Sequence, residues 1–254
     1  MTHTHATFAP FMRGLISFLV IVIAWESACR LLHIQPVFVP APSAVARELA
    51  SNFSWYMQQA AFTLFTTFAG FLCAVIGGVV LAVAIVSSRS IEEYVYPVIV
   101  AMNSVPKVAI APLLVIWLGT GSQPKIAIAA LLGIFPVLVD TVHGLRAVPK
   151  DVIDLGRVLK GSGFDFFWKV KFPCALPFIV SGMKVAISLA LVGAIVGEFV
   201  AAQQGLGYVI TSAQGMFDTV RVFAALVVLA VIGIALFAIV SRVEQISAPT
   251  RVRR

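Results

Sequence analysis

Residues 176–200 read LPFIVSGMKVAISLALVGAIVGEFV, with Lys184 and Glu198 as the only charged side chains. Crossing the roughly 30 Å hydrocarbon core of a bilayer takes about 20 apolar residues in a helix, and this block is long enough. A membrane β-strand would be shorter and would alternate apolar with polar positions. A helix keeps each backbone hydrogen bond inside the segment, as hydrocarbon requires. The block therefore reads as a transmembrane helix.

Similar blocks lie on both sides, at residues 14–32, 60–86, 95–118, 126–142 and 222–240. The 254 residues are 60% hydrophobic and 11% charged, and the mean hydropathy is +1.02. A soluble domain would carry about 25% charged residues. The expected fold is an all-α integral membrane protein of about six transmembrane helices, forming one domain over residues 1–254. Cys29, Cys73 and Cys174 are odd in number and far apart, which excludes a disulfide framework or a Cys-rich metal site. The pI near 9.7 arises from basic residues spread over loops, so it does not indicate nucleic acid.

Those basic residues orient the chain. With the N-terminus in the cytoplasm, the inner segments hold Arg13, Arg89, Arg242, Arg251, Arg253 and Arg254. They also hold Arg146, Lys150, Arg157, Lys160, Lys169 and Lys171 of the polar stretch 143–173. The outer segments hold Arg47, Lys125 and Arg221. The positive-inside rule then puts both termini and the 143–173 loop in the cytoplasm.

Charges inside the spans are candidates for function. Pro106 and Pro112 interrupt the span 95–118. A broken helix survives in lipid where protein or a wet cavity satisfies the freed backbone, so Lys107, in that break, is a candidate for the wall of a pathway. Glu198 is a second candidate. Lys184 precedes it by 14 residues, roughly 20 Å along a helix, too far to pair; Lys184 is expected to snorkel to the cytoplasmic surface. Gly193 and Gly197 form a small-xxx-small pair suited to close helix packing.

The 143–173 loop is longer than most helix connections, which suggests a task of its own. It places Phe164, Phe166, Phe167 and Trp168 among charged residues. It also carries Asp154-Leu155-Gly156, then Lys160 after three residues, and after nine more Val170-Lys171-Phe172-Pro173. This resembles the Glu-Ala-Ala signature of the binding-protein-dependent permeases of ATP-binding-cassette importers, with Lys160 where the family has glycine and Gly161 next. The likeness extends over nearly the whole chain, including Pro106–Leu113, Trp117–Gly121, Phe135-Pro136, Val196–Val200 and Gly205–Tyr208. It is similar to the branch importing nitrate, sulfonates, riboflavin or thiamine-pyrimidine precursors.

The resemblance implies a permease subunit in the cytoplasmic (inner) membrane of a bacterium. Its ATPase-coupling residues would be Asp154, Gly156, Lys160, Gly161, Phe164, Phe167, Trp168 and Pro173. Its partners would be cytoplasmic ATPase subunits, a second permease chain (an identical copy is expected) and an external substrate-binding protein. The solute would be small, and polar organic or anionic. No phosphate-binding loop ending in Gly-Lys-Ser/Thr is present, so ATP is assigned to the partner and no cofactor or enzymatic activity to this chain. The alternative is a stand-alone proton-coupled transporter with Glu198 as proton carrier. The topology is tested at Ser162: in intact cells, Ser162→Cys should resist a membrane-impermeant thiol reagent, and rapid labelling from outside would reverse the orientation.

Overall fold

The computed structural model describes residues 8–159, 162–201 and 203–247. All regular structure among the described residues is helical. The helices are α1 (Phe8–Leu31), α2 (Pro42–Ser51), α3 (Phe53–Ser87), α4 (Arg89–Met102), α5 (Ala111–Leu118) and α6 (Ser122–Arg146). They continue as α7 (Lys150–Val158), α8 (Gly163–Phe166), α9 (Phe172–Ala201), α10 (Leu206–Gly215) and α11 (Thr219–Ser247). Five helical runs are long and apolar enough to cross a membrane, and α4 with α5 makes a sixth as one bent span.

Element ends differ from the hydropathy blocks for local reasons. α3 starts at Phe53 rather than near residue 60, because Trp55, Gln58 and Gln59 keep helical geometry although they are too polar or amphipathic to read as membrane. The expected span 95–118 is two helices bent by 82°. Pro106 stands in the gap before a turn of 3-10 helix at Lys107–Ile110, and proline disfavours helix in the residue before it. Pro112 lies in the first turn of α5, where a missing N–H costs nothing. Of the two prolines, one marks a break and the other opens a helix.

α8 is not a separate surface helix. It runs through one widened π turn, Phe167–Lys171, directly into α9. Pro173 cannot donate a backbone hydrogen bond, and its ring crowds the preceding turn; the wider turn makes room. Residues Gly163–Ala201 form one run of 39 residues, so a displacement at its start is carried along the span.

The centre of the molecule is the packing of α9 against α6, with α3 packed against both. Glycines let the backbones approach. A Cβ at Gly193 would stand 2.7 Å from Ala129 Cα, at Gly197 2.9 Å from Lys125 Cα, and at Gly182 2.8 Å from the Pro136 carbonyl oxygen. In lipid no hydrophobic force presses helices together, so such contact and internal hydrogen bonds carry the packing. Ala129, Ala186, Ala190 and Ala194 are fully buried in this seam.

At the end of the bundle that carries α10, the seam finishes in a polar knot. Glu198 is 1% exposed. Its carboxylate accepts the Thr63 hydroxyl at 2.9 Å and the Gly207 N–H at 2.7 Å. Thr63 in turn accepts the Leu206 N–H at 2.9 Å, and Gln59 accepts the Gly205 N–H at 2.7 Å. The first N–H groups of α10, which have no partner within the helix, are thus capped by side chains of α3 and α9. Gly205 has φ +107°, and a Cβ there would overlap the Glu198 carboxylate. Beside the knot, Lys125 is 2% exposed. It donates to the carbonyls of Thr120 at 2.9 Å, Gly121 at 2.6 Å and Ala201 at 2.9 Å. One ammonium thereby ties the α5–α6 turn to the end of α9, where a cation also complements the helix dipole.

Removing the acid should leave Thr63 and Gly207 unsatisfied, at about 1–3 kcal/mol for each buried group. Glu198→Ala should lower the melting temperature of the purified protein by several degrees. Because Thr63 and Glu198 share one network, Thr63→Val combined with Glu198→Ala should lower it by less than the sum of the single effects. Strict additivity in thermal unfolding would show that the two groups do not act together.

Candidate functional site

The two pathway candidates do not meet. Lys107 lines a cavity of about 510 Å³ between the α4–α5 break, α6 and α9, whereas Glu198 is absent from its lining and enclosed in the knot. Proline chemistry shapes this cavity. After α4 the chain bends by 82° into α5, leaving residues 103–106 and 108 exposed and Lys107 half-buried. Pro136, inside α6, cannot donate to the carbonyl of Leu132, and both residues line the space. Lys107 donates to Asn103 Oδ1 at 2.6 Å, and its ammonium lies 4.4 Å from the centroid of the Phe135 ring. That placement is a cation–π contact. Asp140, about one turn after Pro136, also lines the cavity, and Val185 and Leu189 of α9 close the apolar side.

Asp140 and Phe135 extend the candidates read from sequence. Asp140 was open to detection by the same rule that singles out Lys107 and Glu198: it is an ionisable residue within an apolar helix. Two further charges at the spans are paired. Lys184 donates to Glu244 at 2.7 Å and lies 5.4 Å from the Phe237 ring centroid, so α11 supplies a direct partner. Arg146 pairs with Glu92 and stacks on Tyr96, which joins the end of α6 to α4.

The loop candidates gather at the opposite end from the knot. Asp154 lies on the exposed face of α7. Gly156 is where α7 meets α8, since a Cβ there would stand 2.6 Å from the Phe166 ring. Lys160 and Gly161 lie outside the described residues. The aromatics divide into two sets. Phe164 is 74% and Trp168 50% exposed, with their rings edge to face at 6.2 Å. Phe167 turns inward, packing with Phe172, Leu145 and Ala175. Pro173 is at the start of α9, just past the π turn. Leu155, Val158 and Leu159 are exposed on or just after α7, so the projecting surface is more apolar than its charge count suggests. Among the described residues no group of His, Cys, Asp and Glu has the arrangement of a metal site.

With this geometry in place, the relatives are informative. The chain is 31% identical over 235 residues to the formylaminopyrimidine transport permease protein ThiX of Halalkalibacterium halodurans, covering 92% of this chain and 94% of that one. It is 32% identical over 235 residues to the riboflavin transport system permease protein RibX of Chloroflexus aurantiacus, covering 91% and 87%. It is 29% identical over 224 residues to the taurine transport system permease protein TauC of Escherichia coli, covering 85% and 82%. Among solved structures, a chain of the inward-facing MetNI methionine ABC transporter matches with TM-score 0.60 at 19% identity, covering 83% of this chain and 99% of that one; at that identity the likeness speaks for the fold. Residues 74–250 match the family described as the binding-protein-dependent transport system inner membrane component. That stretch takes in the second half of α3, the bent α4–α5 span, the loop and the α6–α9 seam, and the chain therefore belongs to this family of multi-pass permease subunits of ATP-binding-cassette importers.

Proposed function

We propose that this chain, with a second copy of itself, forms the translocation pathway for a small polar organic or anionic solute, and that a separate ATPase drives it through the α7–α8 loop. The observation that carries the coupling role is the projecting apolar surface of Leu155, Val158, Leu159, Phe164 and Trp168 on a loop otherwise rich in charge. Large apolar and aromatic side chains of this kind act as anchors at protein interfaces. The continuous run from α8 through α9 supports transmission, because the anchor and the cavity wall at Val185 and Leu189 share one helical run.

In this reading the α7–α8 end faces the cytoplasm with both termini, where the basic residues are concentrated. The α10 end faces a soluble substrate-binding protein. Relatives named for formylaminopyrimidine, riboflavin and taurine transport support the solute class. The proton-carrier alternative relied on Glu198, and that carboxylate is engaged in capping α10.

The division of the aromatics supplies the test. Burying one large apolar side chain is worth about 1.5–3 kcal/mol, and about 1.4 kcal/mol is tenfold in affinity. Phe164→Ala combined with Trp168→Ala should reach the membrane at normal levels but lose at least about tenfold in affinity for the ATPase, with uptake falling in step. Phe167→Ala should instead lower thermal stability, since that ring packs inward. Full ATPase co-purification and uptake by the double variant would mean that the loop is not the coupling element.

A further inference from the structure

We propose that Arg146 is a positioning residue for transport: by holding Glu92 and Tyr96 it makes α4, and with it the cavity wall at residues 103–108, follow the movement of the α7–α8 loop. The inference rests on the coupling reading above and adds a second line of transmission to the one through α8 and α9.

α4 is lightly attached to the bundle. It is one helix from Arg89 to Met102, continuous through Pro97. Among its described side chains, Glu92, Tyr96 and Ile99 are half-buried and the rest are exposed. Spaced by four and then three residues, these share one face of the helix. Tyr96 and Ile99 rest on a buried cluster of Ala82 and Ile85 from α3 with Leu138 and Val142 from α6. Apolar contact is non-directional, so these two hold α4 to the bundle but do little to fix its place along its axis. Glu92 supplies the directional contact. It pairs with Arg146, whose guanidinium also lies 5.0 Å from the centroid of the Tyr96 ring, a cation–π placement. One side chain thereby grips two successive turns of α4. From Glu92 the helix runs roughly 15 Å to its end, and Asn103, Val105, Lys107 and Val108 of the cavity lining follow directly.

Arg146 is itself tied to the loop at both ends. It is the last residue of α6, and α7 begins shortly after it at Lys150. A Cβ at the neighbouring Gly144 would stand 2.8 Å from Phe178 Cβ and 2.9 Å from Ala175 Cα. The buried Leu145 packs with Ala175, Ile179 and Phe167. The end of α6 is therefore seated on the π turn and the first turns of α9. A displacement of the loop reaches Val185 and Leu189 along α9, and reaches residues 103–108 through Arg146 and α4, so one input moves two sides of the cavity. With 37% and 34% of their side chains exposed, Arg146 and Glu92 add little to stability. That separates a positioning role from a merely structural one.

The test uses the permease–ATPase complex reconstituted in nanodiscs. Cys73 and Cys174, both exposed, are replaced by alanine. A single cavity reporter is introduced, either Val108→Cys on the α4–α5 side or Val185→Cys on α9. Labelling by a small thiol reagent is timed with and without a non-hydrolysable ATP analogue and magnesium. In the parent complex, nucleotide should change the rate at each reporter by about fivefold or more, the lower end of ordinary coupling between distant sites. In Arg146→Gln and in Glu92→Gln the response at Val108→Cys should be lost while that at Val185→Cys persists. ATPase co-purification and thermal stability should match the parent, and uptake should fall while ATP hydrolysis continues. Combining the two substitutions should do no more than either alone, because they break one contact. Arg146→Lys, which keeps the charge and the contact with the ring, should retain the response. Loss at both reporters in Arg146→Gln, or an unchanged response at Val108→Cys, would overturn the positioning role. A parent complex that responds at Val185→Cys but not at Val108→Cys would overturn it too, and would leave the coupling reading standing. A parent complex in which nucleotide changes neither reporter would overturn the coupling reading, and the positioning role with it.

Discussion

The close approach of α6 to α9 sets the geometry of the rest of the molecule. Where Gly182, Gly193 and Gly197 bring the two backbones together, side chains on either flank are pushed to fixed places. At one end the seam delivers Glu198 to the first turn of α10. In the middle, Pro136 and Leu132 of one helix and Val185 and Leu189 of the other together line the cavity. At the far end, α6 stops at Arg146 and α9 continues into the α8 run. Lipid offers no hydrogen bonds and little drive for helix association, so a seam of small residues is what fixes these positions at once.

Charges within the spans divide by the company they keep. Glu198 and Lys125 are almost fully buried and surrounded by backbone partners, and they close a joint between three helices. Lys184 is neutralised by Glu244 across to α11. Lys107 and Asp140 instead line open space, which is the arrangement that leaves a charge available to a solute. Burial separates structural from accessible charge here, because a buried ion without partners costs several kcal/mol and an ion lining a wet cavity does not bear that cost.

Much of the architecture was legible from hydropathy. The apolar blocks mark the membrane helices and Pro106 marks a broken span, whereas the helical run expected to begin after Pro173 already begins at Gly163. Legibility failed where a residue's role depends on direction. Phe164, Phe167 and Trp168 lie within five positions of one another, yet Phe164 and Trp168 are exposed while Phe167 packs on the buried cluster of Leu145 and Ala175. The π turn at Phe167–Lys171 shifts the helical phase, and side-chain spacing alone does not report it. Lys125 reads as an outer-loop charge, but it sits in the first turn of α6 with three carbonyl partners.

The sequence by itself determined that the chain is helical and membrane-spanning, that the span 95–118 is broken, and which family it resembles. These follow from solvent transfer and local backbone chemistry, which act residue by residue along the chain. Only the tertiary structure decided that Glu198 caps α10 while Asp140 joins Lys107 at the cavity. The decisive partner of Glu198 is Thr63, 135 residues away. A carboxylate in an apolar helix looks the same in one dimension whether a neighbouring helix satisfies it or a cavity exposes it, and the packing of α3, α6 and α9 makes that choice.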